Sequence, residues 1–217
     1  MNIEQARFNM IEQQIRPWNV LDLGVLELLT IVKREKFLPE NQQSLAFMDT
    51  ELPLPDGSLM LSPKIEARIV QEVAAKKHGN ALVVGSGTGY LPALLAFHSR
   101  HVTCVENSPA VFAAAQQALH REGVANVSLT LGDASKGWPN EAPYDVIVLT
   151  GSVQILPEEF KQQLKVGGRL FVIVGSAPVM TACLYTRLSQ SEFDVKALFD
   201  TSVAAIPEAE HVSAFSF

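Results

Sequence analysis

The segment 81-ALVVGSGTGY-90 decides the fold. Ala81, Leu82, Val83 and Val84 form an unbroken apolar run, the pattern of a short strand covered on both faces. The run empties into Gly85, Gly87 and Gly89, and the stretch after Tyr90, LPALLAFHS, reads as a helix. A strand ending in such a loop lets the backbone turn tightly and approach a ligand closely, with amides presented at the next helix start. The dinucleotide fingerprint G-x-G-x-x-G is not met, because Tyr90 stands where its third glycine would be.

Downstream the texture repeats. HVTCVE is a second strand ending at Glu106; Ser108-Pro109 opens the helix VFAAAQQALHRE, which Gly123 closes. VSLTLGD, YDVIVLTG and RLFVIVG are further strands, with a helix predicted over PEEFKQQLK before Gly167-Gly168. Near-continuous apolar strands separated by helices predict an α/β fold with a mostly parallel central sheet flanked by helices. TACLYTRLSQ, and KALFDTSVAAI together with the VSAFSF tail, are expected to pair antiparallel at one side. Upstream, the first 76 residues read as helices around a loop-rich middle. Asp22 caps a helix with Val25, Leu28, Leu29 and Val32 on its apolar face. ELPLPDGSLMLSP is a loop or irregular edge, and Ser62-Pro63 opens a helix whose face carries Ile65, Ile69 and Val73.

In an open parallel sheet, ligands bind at the carboxyl ends of the strands. Three signals fall at three successive ends: the loop Gly85-Ser86-Gly87-Thr88-Gly89, then Glu106, then Gly132-Asp133. Glu106 lies 21 residues past Gly85, where a carboxylate can accept hydrogen bonds from both ribose hydroxyls. Asp133 stands where an adenine amino group can be met. Together they specify an adenosine-type site, and with the third glycine missing they point to S-adenosylmethionine rather than NAD. Loops that hold this cofactor usually carry an acidic residue two places before the first glycine; here that position is Val83.

Composition narrows the field. The 217 residues are 47% hydrophobic, enough for one sizeable core and a single domain. The formal net charge is −6 and no Lys/Arg cluster marks a predicted face, which argues against nucleic-acid binding. No run is long and apolar enough to span a membrane, and the start MNIEQARFNM lacks a signal-peptide core, so a cytoplasmic location is expected. Cys104 and Cys183 sit in apolar strand-like runs and read as small buried hydrophobes, not a disulfide. His98 and His101 straddle a helix-to-strand junction without a Cys or carboxylate cluster, so no metal site is expected.

The chain resembles the protein-L-isoaspartate O-methyltransferase family. The matching stretches are MIEQQIRP, VKREKFLPE, AFMDTELPLPDG, GSGTGY, VEN, GDASKGWPNEAPYDVIVLT and LPEEFKQQLKVGGRLFVIVG. The resemblance implies a Rossmann-like class I S-adenosylmethionine-dependent methyltransferase fold with extra N-terminal helices. Residues 1–217 would form one domain, with 1–76 as the substrate-side region and 77–217 as the core. It implies that S-adenosylmethionine is held by Gly85, Ser86, Gly87, Thr88, Gly89, Glu106, Asn107, Asp133 and Ala134, with Thr150 on the floor. S-adenosylhomocysteine would be the product, and a protein or peptide the substrate. Trp138 and Pro143 pack the loop between them. The family's acceptor, an isoaspartyl carboxylate, is already anionic at neutral pH, so alignment and exclusion of water suffice without a general base.

The chain departs from the family at the reacting end. The family's loop resembles G-Q-T-I-S-Q-P-Y-I-V-A-R; residues 57–68 read G-S-L-M-L-S-P-K-I-E-A-R. The pattern's Thr is Leu59, its Ser is Leu61, its Gln is Ser62, and the acidic residue of the glycine-loop strand is Val83. A buried anion needs paired donors, so an apolar wall predicts altered acceptor recognition. Ser62 has two competing roles: its hydroxyl, one place along from Leu61, can compensate in catalysis, or it can cap the helix that follows. Two functions stay open: a methyltransferase like the family's, acting on isoaspartyl residues in protein repair or on a changed acceptor, and a non-catalytic protein that uses the same fold to bind adenosylmethionine.

Overall fold

The computed structural model describes residues 2–206. A seven-stranded sheet carries the architecture, in the order β5-β4-β3-β6-β7-β8-β9. These strands are β3 (Asn80–Val84), β4 (His101–Glu106), β5 (Val127–Leu131), β6 (Tyr144–Val153), β7 (Leu164–Ser176), β8 (Val179–Arg187) and β9 (Phe193–Thr201). The first five pair in parallel and the last two antiparallel, as the sequence predicts. The order reverses at β3, placing the glycine loop at the switch point where α/β sheets bind ligands.

The period-two alternation of a strand divides the core between the two faces. Ala81, Val83, Val146, Val148, Phe171 and Ile173 point to one side, where they meet the N-terminal residues Met10, Ile15, Leu28 and Leu29. Leu82, Val84, Ile147, Leu149, Leu170 and Val172 point to the other, against Tyr144, Leu156 and Phe160. Both alternating sets are thus buried, which is why the strands read as continuous apolar runs.

The helices are α1 (Ile3–Met10), α2 (Leu23–Ile31), α3 (Pro63–Val73), α4 (Tyr90–Phe97), α5 (Pro109–Arg121) and α6 (Glu158–Gln162). Asp22 caps α2 as expected, its Oδ1 accepting from Gly24 N at 2.8 Å and Val25 N at 3.2 Å. Ser108 caps α5 through a bond from Val111 N. Ser62 occupies the cap position of α3, yet its buried hydroxyl makes no capping bond and has no partner among the described residues.

Two elements differ from expectation. The helix predicted over PEEFKQQLK covers only Glu158–Gln162, because β7 already begins at Leu164 and draws Lys165–Gly167 into the sheet. Strand β6 runs on past Thr150 to Val153, with a register shift against β7 between Val148 and Ser152. The irregular segment holds a two-stranded ribbon, β1 (Leu52–Pro53) and β2 (Leu59–Met60). KALFDT lies in β9, whereas the VSAFSF tail lies outside the described residues. Both cysteines are free, Cys104 fully buried and Cys183 partly so. Among the described residues no helix is long and apolar enough to cross a membrane.

Candidate active site

A cleft opens over the carboxyl ends of β3, β4, β5 and β6. The space within it, counted together with the part open to solvent, is about 990 Å³. The glycine loop forms one wall. Gly85 has φ +88°, and a Cβ there would lie 2.2 Å from Thr150 Oγ1, so only glycine fits. Thr150 Oγ1 in turn donates to the Val84 carbonyl at 2.9 Å, tying β6 to the loop. At Gly87 a Cβ would meet nothing within 4 Å, because this residue faces the open cleft. Gly89 does not line the cleft: its Cα packs on α5, against Leu119 and the Ala115 carbonyl.

Glu106, at the end of β4, is 6% exposed and organises this wall. Its Oε2 accepts from Ser86 N at 2.7 Å and Ser86 Oγ at 2.8 Å; its Oε1 accepts from Ser108 N at 3.0 Å. One carboxylate thereby joins the glycine loop to the start of α5. Asn107, Asp133 and Ala134 line the adjoining stretch, and Asp133 Oδ1 accepts from Ser135 N at 2.7 Å. Of the ten expected cofactor residues, the cleft gathers Gly85, Ser86, Gly87, Thr88, Glu106, Asn107, Asp133, Ala134 and Thr150.

The opposite wall comes from residues 51–66. Leu59, 44% exposed, and Leu61, buried, both line the cleft as anticipated. Val83 does not. It is fully buried beneath the loop, paired in register with Cys104 and Val148, so its methyls fill core and never reach a ligand. Ser62, at the cap position of α3, does not line the cleft, and its hydroxyl makes no capping bond. The cleft wall is therefore apolar at two of these positions, and the third change belongs to the core.

Several lining residues escaped the sequence reading. Val203–Ile206 close one side, because Ser152 N donates to the Ala204 carbonyl and Ile206 N donates to the Ser152 carbonyl, both at 2.9 Å. Asp56, at the ribbon's turn, reaches across the cleft mouth. Burial pushes its carboxyl up, but bonds from Ser58 and Ser108 outweigh that and hold it below the ordinary range. Glu66, on α3, lines the cleft while only 3% exposed. Its Oε2 accepts from Arg34 Nε at 2.9 Å. Burial pushes its carboxyl up to about 7, against the opposing pull of Arg34. The sequence did hold a signal: Glu66 falls on the α3 stripe with Ile65, Ile69, Val70 and Val73, where a carboxylate is costly.

Among the described residues five carboxylates line the cleft (Glu51, Asp56, Glu66, Glu106 and Asp133), and no Lys, Arg or His does. Such a site favours ligands that carry positive charge or hydrogen-bond donors. Among the described residues no group of three or more His, Cys, Asp or Glu could hold a metal.

A strand–glycine loop–helix at a parallel switch point, with acidic side chains at the next two strand ends, defines a Rossmann-like class I methyltransferase fold. Comparison with known proteins agrees. Residues 5–211 match the family model described as protein-L-isoaspartate(D-aspartate) O-methyltransferase. The chain belongs to that family and is one of its methyltransferase enzymes. A protein-L-isoaspartate O-methyltransferase of Brucella anthropi is 36% identical over 194 residues, covering 89% of each chain. One of Methanoculleus marisnigri is 36% identical over 171 residues, covering 79% of this chain and 78% of its own. A solved protein-L-isoaspartate O-methyltransferase superimposes with a TM-score of 0.80 at 25% identity, covering 95% of this chain and 66% of that one. A Plasmodium falciparum protein described as a protein-L-isoaspartate O-methyltransferase, solved in complex with S-adenosyl-L-homocysteine, gives 0.79 at 19% identity. There the match covers 94% of this chain and 98% of the other. At that identity the likeness is one of fold.

Proposed function

We propose that the chain is an S-adenosylmethionine-dependent methyltransferase acting on a protein or peptide. The adenosine rests against Gly85–Gly89, Glu106 and Asp133, and the acceptor enters beside residues 1–76, above the core of 77–217. The observation that carries this reading is Glu106: a carboxylate locked to the glycine loop by Ser86, at the strand end where ribose hydroxyls are met. The residues fit the cofactor. Gly87 leaves open space beside the loop, and a lining with no cation among the described residues suits a sulfonium. When bound, S-adenosylmethionine supplies an electrophilic methyl group.

The protein's part is to position and to exclude water. Segments 51–61 and 203–206 wall the cleft, and Leu59 and Leu61 keep its reacting end dry. The same wall offers no side-chain donor at these two positions, so it is poorly matched to the isoaspartyl carboxylate that the family name specifies. The acceptor is accordingly altered from the family's own. Calorimetry with S-adenosylhomocysteine tests the cofactor half; absence of binding at millimolar ligand sinks it. Labelled S-adenosylmethionine with an isoaspartyl peptide tests the acceptor half. Base-labile methyl ester formed as fast as by the B. anthropi relative would show that the leucines are harmless. Tight binding with no turnover on any acceptor would favour the non-catalytic, ligand-sensing alternative.

A further inference from the structure

Glu66 is not needed by the reading above, yet it stands on the cleft wall. Its side chain is 4% exposed, and Arg34 Nε occupies only Oε2. Among the described residues no bond to Oε1 is present, although Glu66 belongs to the cleft lining beside Leu61, Thr88 and Leu91. Arg34 cannot turn to serve both oxygens. Its other nitrogens donate to the carbonyls of Ala46 at 2.8 Å and Leu61 at 2.9 Å. Oε1 is therefore left to accept from water or from a ligand donor inside the cleft. Among the described residues the cleft lining supplies no cation that could donate to it. In the loop pattern compared above, Val stands at this position.

We propose that Glu66 is the recognition residue for an ammonium group inside the cleft. This rests on the methyltransferase reading and extends it. The ammonium has two sources: the amino-acid tail of the cofactor, or an amine that accepts the methyl group. For an amine acceptor the chemistry balances without a further reagent. The ammonium gives one proton to the Glu66 carboxylate. The freed lone pair forms the N–C bond to the methyl carbon as the C–S bond breaks, its electron pair returning to sulfur. Positive charge thus moves from sulfonium to nitrogen, and Glu66 later releases its proton to water. A carboxylate acceptor would instead face Glu66 as a like charge.

The test uses the full chain, wild type and Glu66→Gln, with S-adenosylhomocysteine and its deaminated analogue in a calorimeter. A parallel assay follows label from S-adenosylmethionine onto a peptide bearing a free amino terminus and a lysine. If the tail is the source, wild type binds S-adenosylhomocysteine about tenfold or more tighter than the analogue, the scale of one charge-assisted bond, and Glu66→Gln closes the gap. If the acceptor is the source, the two nucleosides bind alike. Wild type then makes a base-stable methylated amine, and Glu66→Gln loses that product while keeping its S-adenosylhomocysteine affinity. No affinity gap and no Glu66-dependent amine product would overturn the proposal, leaving Glu66 as the counter-ion of Arg34. Failure of wild type to bind either nucleoside would remove the methyltransferase reading itself, and the proposal with it. Should Glu66→Gln not fold, the two ligands compared on wild type still decide the tail. Glu66→Asp, which keeps the charge one methylene shorter, then decides the acceptor: an amine product clearly reduced while S-adenosylhomocysteine affinity is kept supports the proposal, and a product made at the wild-type rate together with no ligand gap overturns it.

Discussion

Arg34 Nε and Glu66 Oε2 are bonded at 2.9 Å with both side chains out of solvent, at 1% and 4% exposure. The pair joins the turn after α2 to α3, and through the Ala46 and Leu61 carbonyls it also fixes both ends of the segment forming the cleft wall. Breaking a buried pair from one side strands the other charge. Arg34→Ala is therefore expected to cost about 3–5 kcal/mol, read as a lower urea midpoint with unchanged slope. Lys33→Ala, which removes an exposed contact to Glu4 at 3.5 Å, should leave the midpoint where it is.

The same pair sets a pH dependence. Glu66 is raised from its ordinary 4.5 to about 7 by burial, against the Arg34 charge. Arg34, Glu35, Arg7 and Tyr90 share its surroundings. An acid raised in the folded state binds more protons there than in the unfolded chain, so its contribution is full below about 4.5 and is lost as pH rises through about 7. Denaturant unfolding at pH 5, 6, 7 and 8 should show declining stability across this window beyond that of Glu66→Gln. Parallel curves for the two proteins would mean that Arg34 holds the carboxylate ionised throughout.

Gly85 is the position at which one methyl group should do most damage. Its φ of +88° disfavours any side chain, and the new Cβ would collide with Thr150 Oγ1 at 2.2 Å. Relief requires Thr150 to abandon the Val84 carbonyl, which loosens the loop from β6. Gly85→Ala should lower S-adenosylhomocysteine affinity at least tenfold by calorimetry. Gly57→Ala shares a positive φ, of +87°, but meets nothing within 4 Å. It should cost about 1 kcal/mol of stability and leave binding intact.

What the sequence disclosed follows from which forces are local. Strand and helix order was legible because both faces of the sheet are buried, so strands such as ALVV and YDVIVL carry an apolar signal that needs no partner to read. The adenosine end was legible because Gly85, Glu106 and Asp133 stand at strand ends, where topology alone brings them together. The opposite wall was legible at Leu59 and Leu61 alone. Glu66 enters the cleft only because α3 packs at a particular rotation, and Val203–Ile206 enter because β6 extends past Gly151 to bind them. Val83 was misplaced for the same reason: which face of a strand points at a ligand depends on the layer packed against it. In this chain that face is core.

That distinction separates two sets of reversions. Leu59 and Leu61 line the cleft, so Leu59→Thr with Leu61→Ser changes the wall without adding a charge to the core. Leu61 is 5% exposed, and losing its methyls should cost about 2–4 kcal/mol. The double variant should still bind S-adenosylhomocysteine and should gain measurable base-labile ester on an isoaspartyl peptide relative to wild type. Val83→Glu is different in kind. The position has no exposure and is packed among apolar neighbours, so an added carboxylate should cost several kcal/mol and abolish the cooperative transition in circular dichroism. Addition of Val83→Glu to the double variant should then erase the gain through unfolding, visible in the melt before any assay is run. A folded, active triple variant would mean instead that the acid at position 83 reaches a cation, and that the core beneath the loop repacks to let it.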